Sequence, residues 1–183
     1  MIDLRSIPSG KEDLDSYEVE HYFQSWSYQP AQSPMRVVSA KGVRFTTEDG
    51  RERLDFSSCF VNHNIGHQDP RVIAAIIEQA KTLCAFAPSI STKPRALLAK
   101  MLAEVTPGDL SRAFISTGGT EANEAAVKIC HQYTGRRKML TRYRSYHGGT
   151  ATSMSLSAGD ARGWFQVMGG TEMVSVPQPY CYR

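Results

Sequence analysis

The stretch that most constrains this chain is a change of period between Arg112 and Gly135. Arg112-Ala113-Phe114-Ile115-Ser116 is a short apolar run with a β-branched centre, which predicts a buried strand. Thr117-Gly118-Gly119-Thr120 follows as a turn of small residues. Without a Cβ, Gly118 and Gly119 let the backbone take positive φ and come close to a ligand. From Thr120 or Glu121 the pattern turns helical. Ala122, Ala126, Ile129, Cys130 and Tyr133 recur at i, i+4, i+7, i+8 and i+11, one apolar stripe, and Gly135 suits the left-handed end of such a helix. A strand, a glycine turn and a helix N-terminus leave backbone N–H groups unpaired at the positive end of a helix dipole. That is an anion site, and phosphate is its usual guest.

Two familiar phosphate signatures are excluded. No Gly-Lys-Ser/Thr completes a P-loop, and G-x-G-x-x-G is absent. A bare Gly-Gly-Thr reads more readily as a plain structural turn. The residues downstream add topology. Lys138 to Thr141 reads as a further strand, Thr150 to Ala158 as a short helix and Glu172 to Val176 as another strand. Strand–helix–strand alternation predicts an α/β fold with right-handed parallel crossovers. The loops Ser116–Thr120 and Arg142–Thr150 then fall at the strands' C-terminal ends, where open α/β sheets bind ligands.

Ser116-Thr117-Gly118-Gly119-Thr120-Glu121-Ala122-Asn123-Glu124-Ala125-Ala126-Val127-Lys128 resembles the phosphate loop of class III aminotransferases, which use pyridoxal phosphate. Tyr146-His147-Gly148-Gly149-Thr150 resembles the same family's Tyr-His-Gly segment, whose aromatic ring stacks on the cofactor's pyridine. The resemblance implies the first part of the mostly parallel, three-layer large domain of a fold type I pyridoxal-phosphate enzyme. An N-terminal arm with a hairpin would span residues 1–56 and the large domain residues 57–183. It gives the phosphate to Gly118, Gly119 and Thr120, and the stacking ring to Tyr146. His147 is either an orienting residue or a hydrogen-bonded structural histidine.

The earlier segments fit that frame. Asp13 to Phe23 reads as a helix. Val37 to Leu54 reads as two strand-like pieces around a turn at Glu48-Asp49-Gly50. In the resemblance, Gly42-Val43, Asp49, Gly50, Leu54 and Asp55 match the family's hairpin. Residues 59–70 form a loop rich in turn formers, with Asp69 and Pro70 at the N-cap and N1 of the next helix. His63 and His67 are four apart, but Asn64-Ile65-Gly66 between them breaks the helix that a metal pair needs. The resemblance makes Gly66-His67 a structural turn and puts Phe60 and Val61 on the substrate side; apolar filler is the competing reading. Arg71 to Cys84 is an amphipathic helix with Val72, Ile73, Ile76, Ile77, Ala80 and Leu83 on one face. Phe86 sits where the family places an aromatic that serves the partner subunit's site, or else packs in the core. Thr92 and Pro94 open a second helix through Val105, with Leu97, Leu98, Met101 and Leu102 expected to be buried.

Composition narrows the partners. The net charge of +3 is spread along the chain, and Arg136-Arg137-Lys138 follows a helix C-terminus, where cations are favoured without nucleic acid. No run approaches the roughly 18 apolar residues of a membrane helix. The start Met1-Ile2-Asp3-Leu4-Arg5 has no apolar signal core. Cys59, Cys84, Cys130 and Cys181 show neither C-x-x-C spacing nor paired histidines, so plain thiols in a reducing cytoplasm are expected and no metal.

The family's chemistry needs a phosphate cradle, a stacking ring, an acidic partner for the pyridine nitrogen and a lysine that holds the cofactor covalently. The resemblance supplies the first two here. It places the acid and the Schiff-base Lys beyond Arg183, so no catalytic residue is expected in this chain and the chain alone is expected to be inactive. Lys128, on the helix after the phosphate turn, reads as a solvated side chain. The implied function is amino-group transfer from an amine or ω-amino acid, such as taurine or β-alanine, to a 2-oxo acid such as pyruvate. The complete protein would be a homodimer. A non-catalytic phosphate-binding fragment, or an assembly subunit whose lysine comes from another polypeptide, stays open.

Overall fold

A computed structural model describes residues 11–25, 27–31, 33, 35–157 and 172–182. The chain divides into two compact units, one through Ala87 and one from Pro88.

In the first unit, helix α1 spans Lys11–His21. Strands β1 (Val37–Lys41), β2 (Arg44–Thr47) and β3 (Glu52–Leu54) form an antiparallel sheet in that order. Two turns account for it. Gly42, with φ +58°, allows the two-residue connection that pairs Lys41 with Arg44. Gly50, with φ +78°, allows the second turn. There Asp49 Oδ1 accepts from Thr47 Oγ1 at 2.5 Å and from the Arg51 N–H at 3.2 Å. The expected Asp-Gly turn is therefore present, but the segment makes three strands and not two, because Gly42-Val43 is also a tight turn. Arg36 joins the sheet to α1, donating to Asp15 at 2.5 Å and to Glu48 at 3.1 Å.

Ser58–Val61 (α2) is a single helical turn of the wrong hand. Ser58, Cys59, Phe60 and Val61 have φ of 53°, 50°, 54° and 62°. Gly66 (φ +89°) then brings His67 alongside Gly42, and the two exchange N–H···O bonds of 2.9 and 2.8 Å. Helix α3 (Pro70–Thr82) starts as expected, with Asp69 accepting from the Arg71 N–H at 2.9 Å and Pro70 at N1.

In the second unit, α4 runs Lys93–Val105 and α5 runs Gly119–Thr134, closed by Gly135 at φ +67°. Strands β4 (Met139–Arg142) and β5 (Met173–Val176) pair in parallel, and α6 (Ala151–Leu156) lies between them in sequence. Parallel strands with α6 packed on them, and α5 on α6, make this unit α/β. The last residue of the expected helix, Ala158, lies outside the described residues. The packed centre holds Val127 and Leu156 beside Thr141, Ser153, Ser155 and Ser157, all buried. Thr141 Oγ1 donates to the Leu156 carbonyl, Ser155 Oγ to that of Ala151 at 2.8 Å and Ser157 Oγ to that of Ser153 at 3.0 Å. Hydroxyls can line this seam because each has a partner.

Three expectations are corrected. Arg112–Ser116 is irregular and not a strand, since an extended run joins a sheet only where a neighbour takes its N–H and C=O groups, and none does among the described residues. Leu97, Leu98 and Met101 are exposed, not buried. The stripe Ala122, Ala126, Ile129, Cys130 and Tyr133 is also exposed; α5 instead turns Asn123, Glu124 and Val127 inward. Apolar periodicity says which face suits a cover; it does not supply the cover. Among the described residues no helix is long and apolar enough to cross a membrane.

The glycine turns make a graded prediction. An added Cβ on Gly66 meets Gly42 Cα and O at 3.1 Å, whereas one on Gly50 meets nothing within 4 Å. In the full-length protein Gly50→Ala should lower unfolding stability by about 1 kcal/mol, the left-handed penalty alone, and Gly66→Ala by about 2 or more. Urea midpoints check the order.

Candidate functional site

The N-terminus of α5 is open. Gly118 is extended (φ −172°, ψ 168°), and neither Gly118 nor Gly119 has positive φ, so the expected left-handed turn is not how this loop is made. What the glycines contribute is the missing side chain: a Cβ on either meets no atom within 4 Å, which leaves the outer face of the turn bare. The first intrahelical bond runs from the Ala122 N–H to Gly118 O at 3.1 Å. The N–H groups of Gly119, Thr120 and Glu121 therefore have no protein partner among the described residues. The one carboxylate in this turn is turned aside. Glu121 Oε2 accepts from Thr117 Oγ1 at 2.6 Å and from the Thr117 N–H at 2.8 Å, and these bonds hold its pKa below the usual value.

The loop Tyr146–Thr150 is locked against this turn. Gly148 is buried at φ +138°, and a Cβ there would stand 2.4 Å from Thr120 Oγ1 and 2.5 Å from Ser153 Oγ. Only glycine permits that approach. Asn123 Nδ2 donates to His147 O at 2.6 Å, and the His147 N–H donates to Ser157 Oγ at 2.8 Å. Glu124 Oε1 accepts from Thr150 Oγ1 and from the Ser153 N–H, bridging α5 to the start of α6. Burial raises the Glu124 pKa, but hydrogen bonds from Thr150, Thr152 and Ser153 outweigh it and the net shift is downward. Gly118, Gly119, Thr120, Tyr146 and His147 thus belong to one cluster. His147 has both its main-chain groups fixed, while Tyr146 leaves about half of its surface exposed. Asn123, Glu124 and Gly148, which do the locking, escape an apolar-pattern reading, although all three stand within the two motifs.

Phe60, Val61 and Phe86 belong to the unit through Ala87, where all three are exposed. Phe60 and Val61 ride on the left-handed turn. Asp55 sits under it and accepts from Ser57 N–H at 3.2 Å, Ser57 Oγ at 3.0 Å and His67 Nε2 at 2.7 Å. Hydrogen bonds from the Cys59 N–H, His67 and Ser57 pull the Asp55 pKa down to about 2. His67 Nε2 is thereby committed to a carboxylate, and its ring stacks on His63 with centroids 4.5 Å apart. Lys128 is exposed on α5.

The description of class III aminotransferases matches residues 27–182, and the chain belongs to this family. It is 39% identical over 143 residues to an adenosylmethionine-8-amino-7-oxononanoate aminotransferase of Synechococcus elongatus, covering 74% of this chain and 33% of that protein. It is 33% identical over 153 residues to a leucine/methionine racemase of Thermococcus litoralis, covering 82% of this chain and 34% of that protein. Among solved structures, a taurine:2-oxoglutarate aminotransferase from Bifidobacterium kashiwanohense, in complex with PLP and glutamate, superposes with a TM-score of 0.88 at 36% identity, over all of this chain and 40% of that one. The chain spans about a third of the length of the curated relatives it matches.

The family's cofactor is pyridoxal 5′-phosphate, and the residues present fit it. Open N–H groups at a helix N-terminus suit its phosphate, and the outer face of the turn has no side chain to obstruct one.

Two predictions follow from these contacts. Gly148→Ala in the full-length protein should weaken pyridoxal-phosphate binding about tenfold or more by parting the two loops, as read by titrating the apo-protein. Asp55 is depressed from 3.8 to about 2, so its contribution to stability is complete above pH 4 and is lost as pH falls through 2. Acid unfolding of Asp55→Asn should lack that part of the pH dependence.

Proposed function

We propose that the complete protein is a pyridoxal-phosphate-dependent aminotransferase that moves an amino group from an amine or ω-amino acid to a 2-oxo acid such as pyruvate. The observation that carries this reading is the close approach of Gly148 to Thr120, which puts the ring-bearing loop on the phosphate turn. In the proposal, the N–H groups of Gly119 and Thr120 hold the phosphate, assisted by Thr120 Oγ1. Gly118 gives the turn its clearance. Tyr146 stacks on the pyridine, and His147, fixed at both main-chain groups, sets the angle of that ring. Phe60, Val61 and Phe86 border the donor. When bound, the cofactor supplies an electron sink for exchange of the amino group. The lysine that holds it and the acid facing its pyridine nitrogen are assigned to residues beyond Arg183, and residues 1–183 alone should not turn over. The same proposal includes an arm over 1–56, a three-layer parallel large domain from residue 57, a cytoplasmic setting and a homodimer.

The donor class is supported by likeness to the taurine:2-oxoglutarate aminotransferase, and the likeness to a leucine/methionine racemase makes one rival concrete. Full-length protein incubated with β-alanine, taurine or a primary amine should form alanine only when pyruvate is present. Interconversion of amino-acid enantiomers with no 2-oxo acid added would favour the racemase reading.

Thr120→Ala should weaken phosphate binding by about 1 kcal/mol, near fivefold, the scale of one hydrogen bond. Tyr146→Ala should disturb cofactor absorbance while leaving binding of inorganic phosphate unchanged. Light scattering of the full-length protein should give twice the protomer mass.

A further inference from the structure

Left-handed helix is unfavourable for L-residues, whose Cβ crowds the following carbonyl, and Ser58–Val61 places four consecutive non-glycine residues there, one of them β-branched. Such a conformation persists only where its surroundings over-determine it. The turn's own bonds, Val61 N–H to Ser57 O and Asn62 N–H to Ser58 O, both 2.9 Å, are the i→i+4 type that a right-handed turn also makes, so they do not select the hand. Two side chains reach the turn from outside: Asn62, whose Nδ2 donates to Cys59 O at 2.9 Å, and Asp55. Its carboxylate takes Ser57 N–H and Oγ at the entrance and His67 Nε2 from the far end of the loop, and its main-chain O takes the Ser58 N–H at 3.4 Å. Both anchors are themselves fixed to the β1–β2 connection: the Asp55 N–H donates to Val43 O at 2.9 Å, and His67 pairs with Gly42. A carboxylate acceptor makes these bonds stronger than neutral ones. The turn thus held presents two apolar side chains outward, Phe60 at 85% and Val61 at 74% exposure.

We propose that Asp55, acting with His67, is a positioning residue for the donor pocket: the pair holds Ser58–Val61 in its left-handed turn and so sets where Phe60 and Val61 meet the amino donor. The inference rests on the proposed function, in which this turn borders the donor. Neither Asp55 nor His67 touches cofactor or substrate in it; they act through the turn.

The test uses full-length holoenzyme carrying Asp55→Asn, His67→Gln or Phe60→Ala. Each is assayed with two donors of different bulk, β-alanine and an aromatic primary amine, with pyruvate as acceptor. Cofactor content per protomer is measured alongside. Asp55→Asn and His67→Gln should change the ratio of kcat/KM between the two donors by about fivefold, mainly through KM, at unchanged cofactor content. Phe60→Ala should change it too. A merely structural role lowers both donors by one factor and leaves the ratio alone, which overturns the inference. A ratio moved by Phe60→Ala but by neither clamp variant also overturns it, while sparing the reading that the turn lines the pocket. A ratio unmoved by Phe60→Ala removes that reading and the inference with it. Should Asp55→Asn not yield folded holoenzyme, His67→Gln, which keeps the carboxylate, decides the question.

Discussion

The second unit depends on one close approach, that of Gly148 to Thr120. It has no room for a Cβ, because Thr120 Oγ1 and Ser153 Oγ already stand where one would go. Everything around it holds the two loops at that distance. Asn123 reaches across to the main chain of His147, Glu124 spans to Thr150 and the start of α6, and Ser157 receives the His147 N–H. These are directional bonds, three of the four part-buried, and such bonds fix position more sharply than apolar contact does. An anion-binding helix end and a stacking ring are of use together only at a set separation, and polar bonds are suited to setting it.

The first unit handles position differently, through backbone strain. A left-handed turn of four ordinary residues is held between Asp55 and the bridge of His67 to Gly42. The strain is local; the Asp55 carboxylate brackets the turn from Ser57 to His67, and Asn62 Nδ2 donates to Cys59 O within it at 2.9 Å. In both units, then, the residues that touch a ligand in the proposed function differ from those that hold them in place. The holders are polar side chains: Asp55, His67, Asn123 and Glu124.

That division explains what the sequence made legible. Local chemistry reads well. Asp49-Gly50 marks its turn, Asp69-Pro70 its helix start, Gly135 a helix end, and the strands near residues 139–142 and 173–176 were visible as apolar runs. The α5 N-terminus and the Tyr146 loop were visible as motifs. The rest depends on partners that a period cannot name. Arg112–Ser116 has the composition of a strand but no neighbour to pair with among the described residues. The apolar stripe of α5 pointed to the wrong face, because the packed face carries Asn123 and Glu124, whose inward position rests on hydrogen bonds. Ser58–Val61 gave no sign of its hand, since none of its residues is the glycine that positive φ usually demands.

In the proposed function one cluster receives both ends of the cofactor. A crystal structure of the full-length protein with pyridoxal 5′-phosphate tests it most directly. Phosphate oxygens are expected within hydrogen-bond distance of the Gly119 and Thr120 N–H groups and the pyridine stacked on Tyr146, with Gly148 still against Thr120. A phosphate bound away from the α5 N-terminus, or a pyridine with no ring from Tyr146 on its face, would contradict it.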